Sequence, residues 1–304
     1  MRNFLQTALG EFTIGWFLLS VVVGGLFGAI VKYLFEVSLP QSIKRKQRIE
    51  EKVRKYSYPL LQAANDVELR IQNVLNKGIR TNWLKSSVIK ELECGGGFLK
   101  DPCEGIGYFF LSTVYVFARY FAWLEILKRE AGFLDFPQGK ESMGFYGILH
   151  RINNAFRYTE LWQLKDKKQH VKDCAKLYRH VQSAIGEIMI IERNKELDCL
   201  SFKEFVDRYT DSSNARFRFW LRNLMSYFED LADIDIAKID QVLTEKREYR
   251  IIRLVALQYW YFKLIQFLDP KFEKVQSRGE RYVQRILHQL PDAYHGAIIT
   301  LPMD

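Results

Sequence analysis

Five histidines, His150, His170, His180, His288 and His295, are the side chains best suited to proton transfer near neutral pH. None falls in an H-E-x-x-H pattern, and none is spaced to form a nucleophile–base pair. Glu187 and Glu192 stand five apart, on different faces of a helix, so paired acid–base work is not indicated. Cys94, Cys103, Cys174 and Cys199 make no C-x-x-C pair and have no histidine at zinc-finger spacing. The run CGGGFLKDPCEG (94–105) has the glycines of a phosphate cradle, but no G-K-[ST] follows and no strand precedes it, so it reads as a connection. Facing E-x-x-H pairs, which would hold a metal between helices, do not occur. No catalytic, cofactor-binding or metal-ligating set emerges.

The chemistry that remains is charge, and its placement is uneven. Nine basic against four acidic side chains in residues 1–55 leave +5 there, and the other 249 residues carry +4 of the total of +9. Lys44, Arg45, Lys46, Arg48, Lys52, Arg54 and Lys55 form the basic cluster. Beside an inner leaflet each would add roughly 1 kcal/mol of attraction to anionic lipid. Charge concentrated at one end is not the spread footprint of nucleic-acid binding. The stretch NARFRFWLRN (214–223) has arginines and aromatics, yet its aromatics read as a core face and Arg218 with Arg222 as a solvated side.

What positions that cluster is the segment before it. Phe12–Val31 is twenty residues without a charge, roughly 30 Å as a helix and long enough to cross the hydrocarbon core. Eight basic residues follow it and only Arg2 precedes it. The positive-inside rule therefore expects a single-pass anchor, N-terminus outside and C-terminal part in the cytoplasm. Ser20, Gly24 and Gly28 recur every four residues, a small-residue stripe suited to packing on another helix, from a second copy or a partner membrane protein. The four cysteines are then expected to be reduced.

Beyond the anchor the pattern is helical. QSIKRKQRIEEKVRK (41–55) reads as a charged helix, with a break or kink near Tyr56–Tyr58 ahead of Pro59. Leu60, Ala64, Val67, Ile71 and Val74 make the face of the next helix, with Gly78 as its stop, and a shorter helix is expected around 81–93. In 106–127, eight of the sixteen residues from Tyr108 to Trp123 are aromatic. Arg119 interrupts this run at a depth where a membrane would penalise it, so a buried core helix is expected rather than a second span, with Tyr115 and Trp123 stacked on the guanidinium.

Further helical faces follow at Phe145–Phe156, Val171–Ile188 and Phe217–Leu231, then an almost wholly apolar helix at 249–268 before Pro270, and an amphipathic one at 274–290. Ser201 and Glu204 spell a capping box. Gly186, inside a helical pattern, implies close helix contact. No stretch alternates long enough to build a sheet.

PLLQAANDVELRIQNVL (59–75), YFAWLEILKREAGFLDF (120–136) and SAIGEIMI (183–190) resemble a family of bacterial helical proteins with no assigned activity. The resemblance implies a helical soluble part and carries no site residue.

The expectation is an all-α chain: anchor and N-terminal segment in 1–39, a basic juxtamembrane helix in 40–57 and a multi-helix bundle in 58–304. Its expected role is interaction or scaffolding at the membrane, possible partners being anionic lipid, its own copy or a membrane assembly. The alternative is a membrane-surface enzyme or sensor acting on a lipid or small ligand. Topology is the first test. A cysteine at Thr7 should react with a membrane-impermeant maleimide in intact cells, and one at Gln241 only after permeabilisation. The reverse pattern would overturn the orientation.

Overall fold

The computed structural model describes residues 39–75, 84, 106–131, 140–157, 176–229, 231, 250–275 and 280–302. The anchor segment, the 94–105 run and residues 158–175 lie outside them. The chain divides into two compact units, Met1–Lys52 and Val53–Asp304. Of the first, residues 39–52 are described, and they are helical.

The described part is mostly helical. Its elements are α1 (Leu39–Leu75), α2 (Ile106–Ala131), α3 (Lys140–Arg157), α4 (Arg179–Met189), β1 (Ile190–Arg193), β2 (Glu196–Cys199), α5 (Phe202–Thr210), α6 (Ala215–Met225), α7 (Arg250–Leu268), α8 (Glu280–Gln289) and α9 (Asp292–Ile299).

Two departures from expectation have plain physical reasons. Of the break or kink expected before Pro59, the break does not occur, and α1 continues through the proline. A proline in a helix interior loses an N–H donor and crowds the carbonyl four residues back, at a cost of about 3 kcal/mol. Tyr56, Leu60, Leu61, Ala63, Ala64 and Val67 are buried around it, and that burial outweighs the cost. The second is a sheet, the antiparallel hairpin β1–β2, pairing Ile190 with Cys199 and Arg193 with Glu196. Asn194 and Lys195 turn it with φ of 53° and 66°. Two positive-φ residues in a two-residue loop are the geometry that matches strand twist.

In the second unit, α2 and α7 are the two most enclosed helices. α7 buries fourteen of its nineteen residues, on every face. Gly107–Glu130, within α2, is the one stretch among the described residues long and apolar enough to cross a membrane, and 83% of its most apolar window is buried inside the protein. A lipid-facing helix would have no such cover. Phe117 and Phe121 meet Phe156 of α3 at 6.1 and 5.3 Å between ring centres. Tyr120 meets Tyr261 of α7 edge-on at 4.8 Å. The C-terminal segment closes on α3, where Asn154 Nδ2 donates to the Pro302 carbonyl at 2.8 Å and Arg151 Nε to that of Leu301 at 3.1 Å. The expected helix at 274–290 is confined to α8, with α9 following it after Pro291.

Arg119 does not use the rings expected for it. Its Nη1 donates to Asp66 Oδ2 of α1 at 2.9 Å. Tyr115 turns the other way, donating its hydroxyl to the Leu200 carbonyl at 3.0 Å and packing against Phe202 and Phe205.

Gly186 has the role its position implies. A Cβ there would lie 2.6 Å from the Phe121 carbonyl oxygen and 2.9 Å from Glu125 Cγ. Gly186→Ala is expected to destabilise the fold by about 1–3 kcal/mol, because the obstacle is backbone. Gly296 of α9 has nothing within 4 Å of its missing Cβ, so Gly296→Ala is expected to be neutral or stabilising by up to ~1 kcal/mol. Urea-unfolding midpoints in mild detergent check the pair, and equal midpoints would refute the close-contact account.

Candidate functional site

Lys44, Arg45, Lys46, Arg48, Lys52 and Arg54 lie within α1, so the basic run is helical as read from the sequence. Ser20, Gly24 and Gly28 lie outside the described residues. Lys55 has an acidic partner. Its Nζ sits 2.5 Å from Glu196 Oε1 at the hairpin, and that hydrogen bond raises the lysine's pKa. A lipid headgroup would have to compete with Glu196 for it.

Past Lys55, α1 turns from a run of cations to internal polar contacts. Arg70 Nη1 donates to the Phe109 carbonyl at 3.3 Å, to Ser112 Oγ at 3.1 Å and to Thr113 Oγ1 at 3.0 Å, with its guanidinium over the Phe109 ring. Glu68 and Gln72 are buried on the same helix. Across from them, Gln258 Nε2 of α7 donates to Glu68 Oε1 at 3.3 Å. One turn along α7 lies Tyr261, paired with Tyr120 of α2. Burial pushes both phenols well above their ordinary range, so they are neutral hydrogen-bonding groups at any physiological pH. Among the described residues, Tyr120 Oη, Tyr261 Oη and Gln258 Oε1 have no protein partner. This buried seam between α1, α2 and α7 offers two hydroxyls and an amide oxygen.

Sequence reasoning did not find this seam. Glu68 and Gln258 are 190 residues apart. The available signal was Gln258 itself, an amide inside an otherwise apolar run. Arg253 of α7 was missed for the same reason. It is fully buried, and its Nη1 donates to the Ala155 carbonyl of α3 at 2.9 Å.

Groups with classical reactivity are muted. Burial pushes the Cys199 thiol up to about 12, against a smaller lowering by Arg119, so at neutral pH it is a protonated core residue. His150 is held below its ordinary range by burial and by Arg179 and Arg157. His288 and His295 face each other at 5.3 Å between ring centres. Among the described residues, no three His, Cys, Asp or Glu side chains converge to hold a metal ion.

The capping box forms as read. Ser201 Oγ accepts from the Glu204 N–H at 3.3 Å, and Glu204 Oε2 accepts from the Ser201 N–H at 2.8 Å. Arg193 of β1 adds a further link, reaching Glu204 Oε2 at 2.5 Å and Asp198 Oδ2 at 3.0 Å, which ties the hairpin to α5.

No family model, curated protein or solved structure matches this chain.

The capping box yields a pH test. Hydrogen bonds from the Ser201 hydroxyl and N–H, then from Arg193, hold the Glu204 carboxyl at about 2, below its ordinary 4.5. A depressed carboxyl stabilises the fold fully above pH 4.5 and loses that contribution as pH falls toward about 2. Glu204→Gln should therefore melt below the parent chain at neutral pH, with the gap closing through that acid window. A gap independent of pH would show that the charge of Glu204 contributes nothing.

Proposed function

We propose that the chain is a single-pass, membrane-tethered helical protein whose cytoplasmic body serves interaction or scaffolding, within a larger membrane assembly. The observation that carries this reading is the charge pattern. Twenty uncharged residues, Phe12–Val31, precede a helix whose N-terminal part holds Lys44, Arg45, Lys46 and Arg48. The helical state of that part supports it, as expected of a basic juxtamembrane helix beside an anionic surface. Ser20, Gly24 and Gly28 would pack the anchor on a second copy or on a partner's helix.

The test uses the full chain in native membranes and in mild detergent. The chain should resist alkaline carbonate extraction and should co-purify with anionic lipid. Changing Lys44, Arg45, Lys46 and Arg48 to Gln should reduce the retained lipid, and added salt should mimic that loss. Release by carbonate would refute the tether. Unchanged lipid retention would leave these residues as topology signals alone.

A second reading, a sensor of a small ligand, draws on the buried Tyr120–Tyr261–Gln258 seam. A small polar molecule released on denaturing the purified chain, and lost in Tyr120→Phe with Tyr261→Phe, would favour it.

A further inference from the structure

Helix α6 carries no acidic residue, and its two sides differ sharply. Phe217, Leu221, Leu224 and Met225 are buried. Arg218 is spent on the end of α5, donating to the carbonyls of Tyr209 at 3.2 Å, Asp211, and Ser212 at 2.9 Å. The other side exposes Arg216, Phe219, Arg222 and Asn223, at steps of three and four. Phe219 is 63% exposed, the most exposed large hydrophobic side chain among the described residues. This corrects the expectation that the aromatics of 214–223 all face the core. Its ring meets Trp220, itself half-buried, edge-on at 5.2 Å.

A single exposed phenylalanine is ordinary. An aromatic pair bracketed by arginines one turn before and one turn after is a more specific arrangement. It has the chemistry of a side-chain patch at a headgroup boundary, where an aromatic ring enters the edge of the acyl chains and the arginine heads stay among phosphates. Arg222 has a carboxylate within reach, Glu229 at 3.5 Å, yet its side chain keeps 46% of its surface in solvent. We propose that this face of α6 docks on an anionic bilayer surface, with Phe219 inserted at the headgroup boundary. The inference rests on the tether reading, because an anchored body meets the membrane at high effective concentration and a weak contact then suffices. That condition selects lipid over an acidic protein or a nucleic acid, which would match the charge equally.

The experiment places the photoreactive p-benzoylphenylalanine at Phe219 in the full chain, in native membranes. Irradiation should yield a lipid adduct on the peptide containing position 219. Arg216→Gln and Arg222→Gln should each lower the adduct yield, by ~5-fold where docking is partial. The same photoreactive residue at Tyr178, 48% exposed, should remain free of lipid. Adducts to protein or nucleic acid alone at 219, or equal lipid adducts at 178, overturn the proposal. Carbonate extraction of the same membranes separates the two readings. A chain that is extracted refutes the tether, while a chain that stays without a lipid adduct at 219 refutes this docking alone.

Discussion

Gly186 lets α4 lie against the backbone of α2, and much of the second unit is arranged around that approach. The Phe121 carbonyl occupies the space a methyl group would need. Glycine inside a helix costs about 1 kcal/mol relative to alanine, and the close packing it permits must offset that. The consequences run along the chain. β1 begins where α4 ends, the Leu200 N–H returns to the Met189 carbonyl at 2.9 Å, and Tyr115 of α2 reaches the Leu200 carbonyl. Phe202 and Phe205 of α5 then pack on Tyr115, and Phe217 of α6 on Phe205. Moving α4 outward by one methyl would shift the start of each of these contacts in turn.

A helix that is apolar on every side has no preferred rotation. α2 and α7 face that difficulty, and each carries polar groups that resolve it. Arg119 fixes α2 to α1 through Asp66, while Arg253 and Gln258 fix α7 to α3 and α1. Burial raises the Asp66 carboxyl by more than Arg119 and Arg70 lower it. In balance, then, folding disfavours that charge, and the pair supplies direction more than stability. In the Tyr120–Tyr261–Gln258 seam, by contrast, Tyr120 Oη, Tyr261 Oη and Gln258 Oε1 sit in the core without a protein partner, which costs stability and directs nothing.

Legibility in the sequence followed range. The capping box at Ser201 and Glu204 depends on four consecutive residues, and it formed as read. The helices over α2, α3, α6 and α7 follow from periodicity or a long apolar run. Gly186 was legible because glycine in such a pattern needs a reason. The hairpin was not legible, since its strands are four residues each and its turn is Asn-Lys rather than Asn-Gly. Pro59 was read by its local preference, which tertiary burial overrode. Phe219 stands two residues, about 200°, from Phe217 on a 3.6-residue helix, so a closer reading of spacing would have separated them. The seam joins residues far apart in the chain, and a single sequence holds no record of that pairing.

The basic character of the chain divides by use. Arg70, Arg119, Arg218 and Arg253 are directed at carbonyls, hydroxyls or a carboxylate inside the second unit. Arg193 and Lys55 are held at the hairpin by Asp198, Glu204 and Glu196. Two stretches stand out against that internal use. One is the start of α1, whose basic residues are adjacent in sequence; the other is the outer side of α6, where Arg216 and Arg222 flank an exposed aromatic ring. A scattered cationic surface would bind polyanions generally. Under the tether proposed above, charge gathered at the start of α1 and beside one exposed aromatic ring would be matched by a surface that is flat, anionic and apolar a few ångströms down, as a bilayer is.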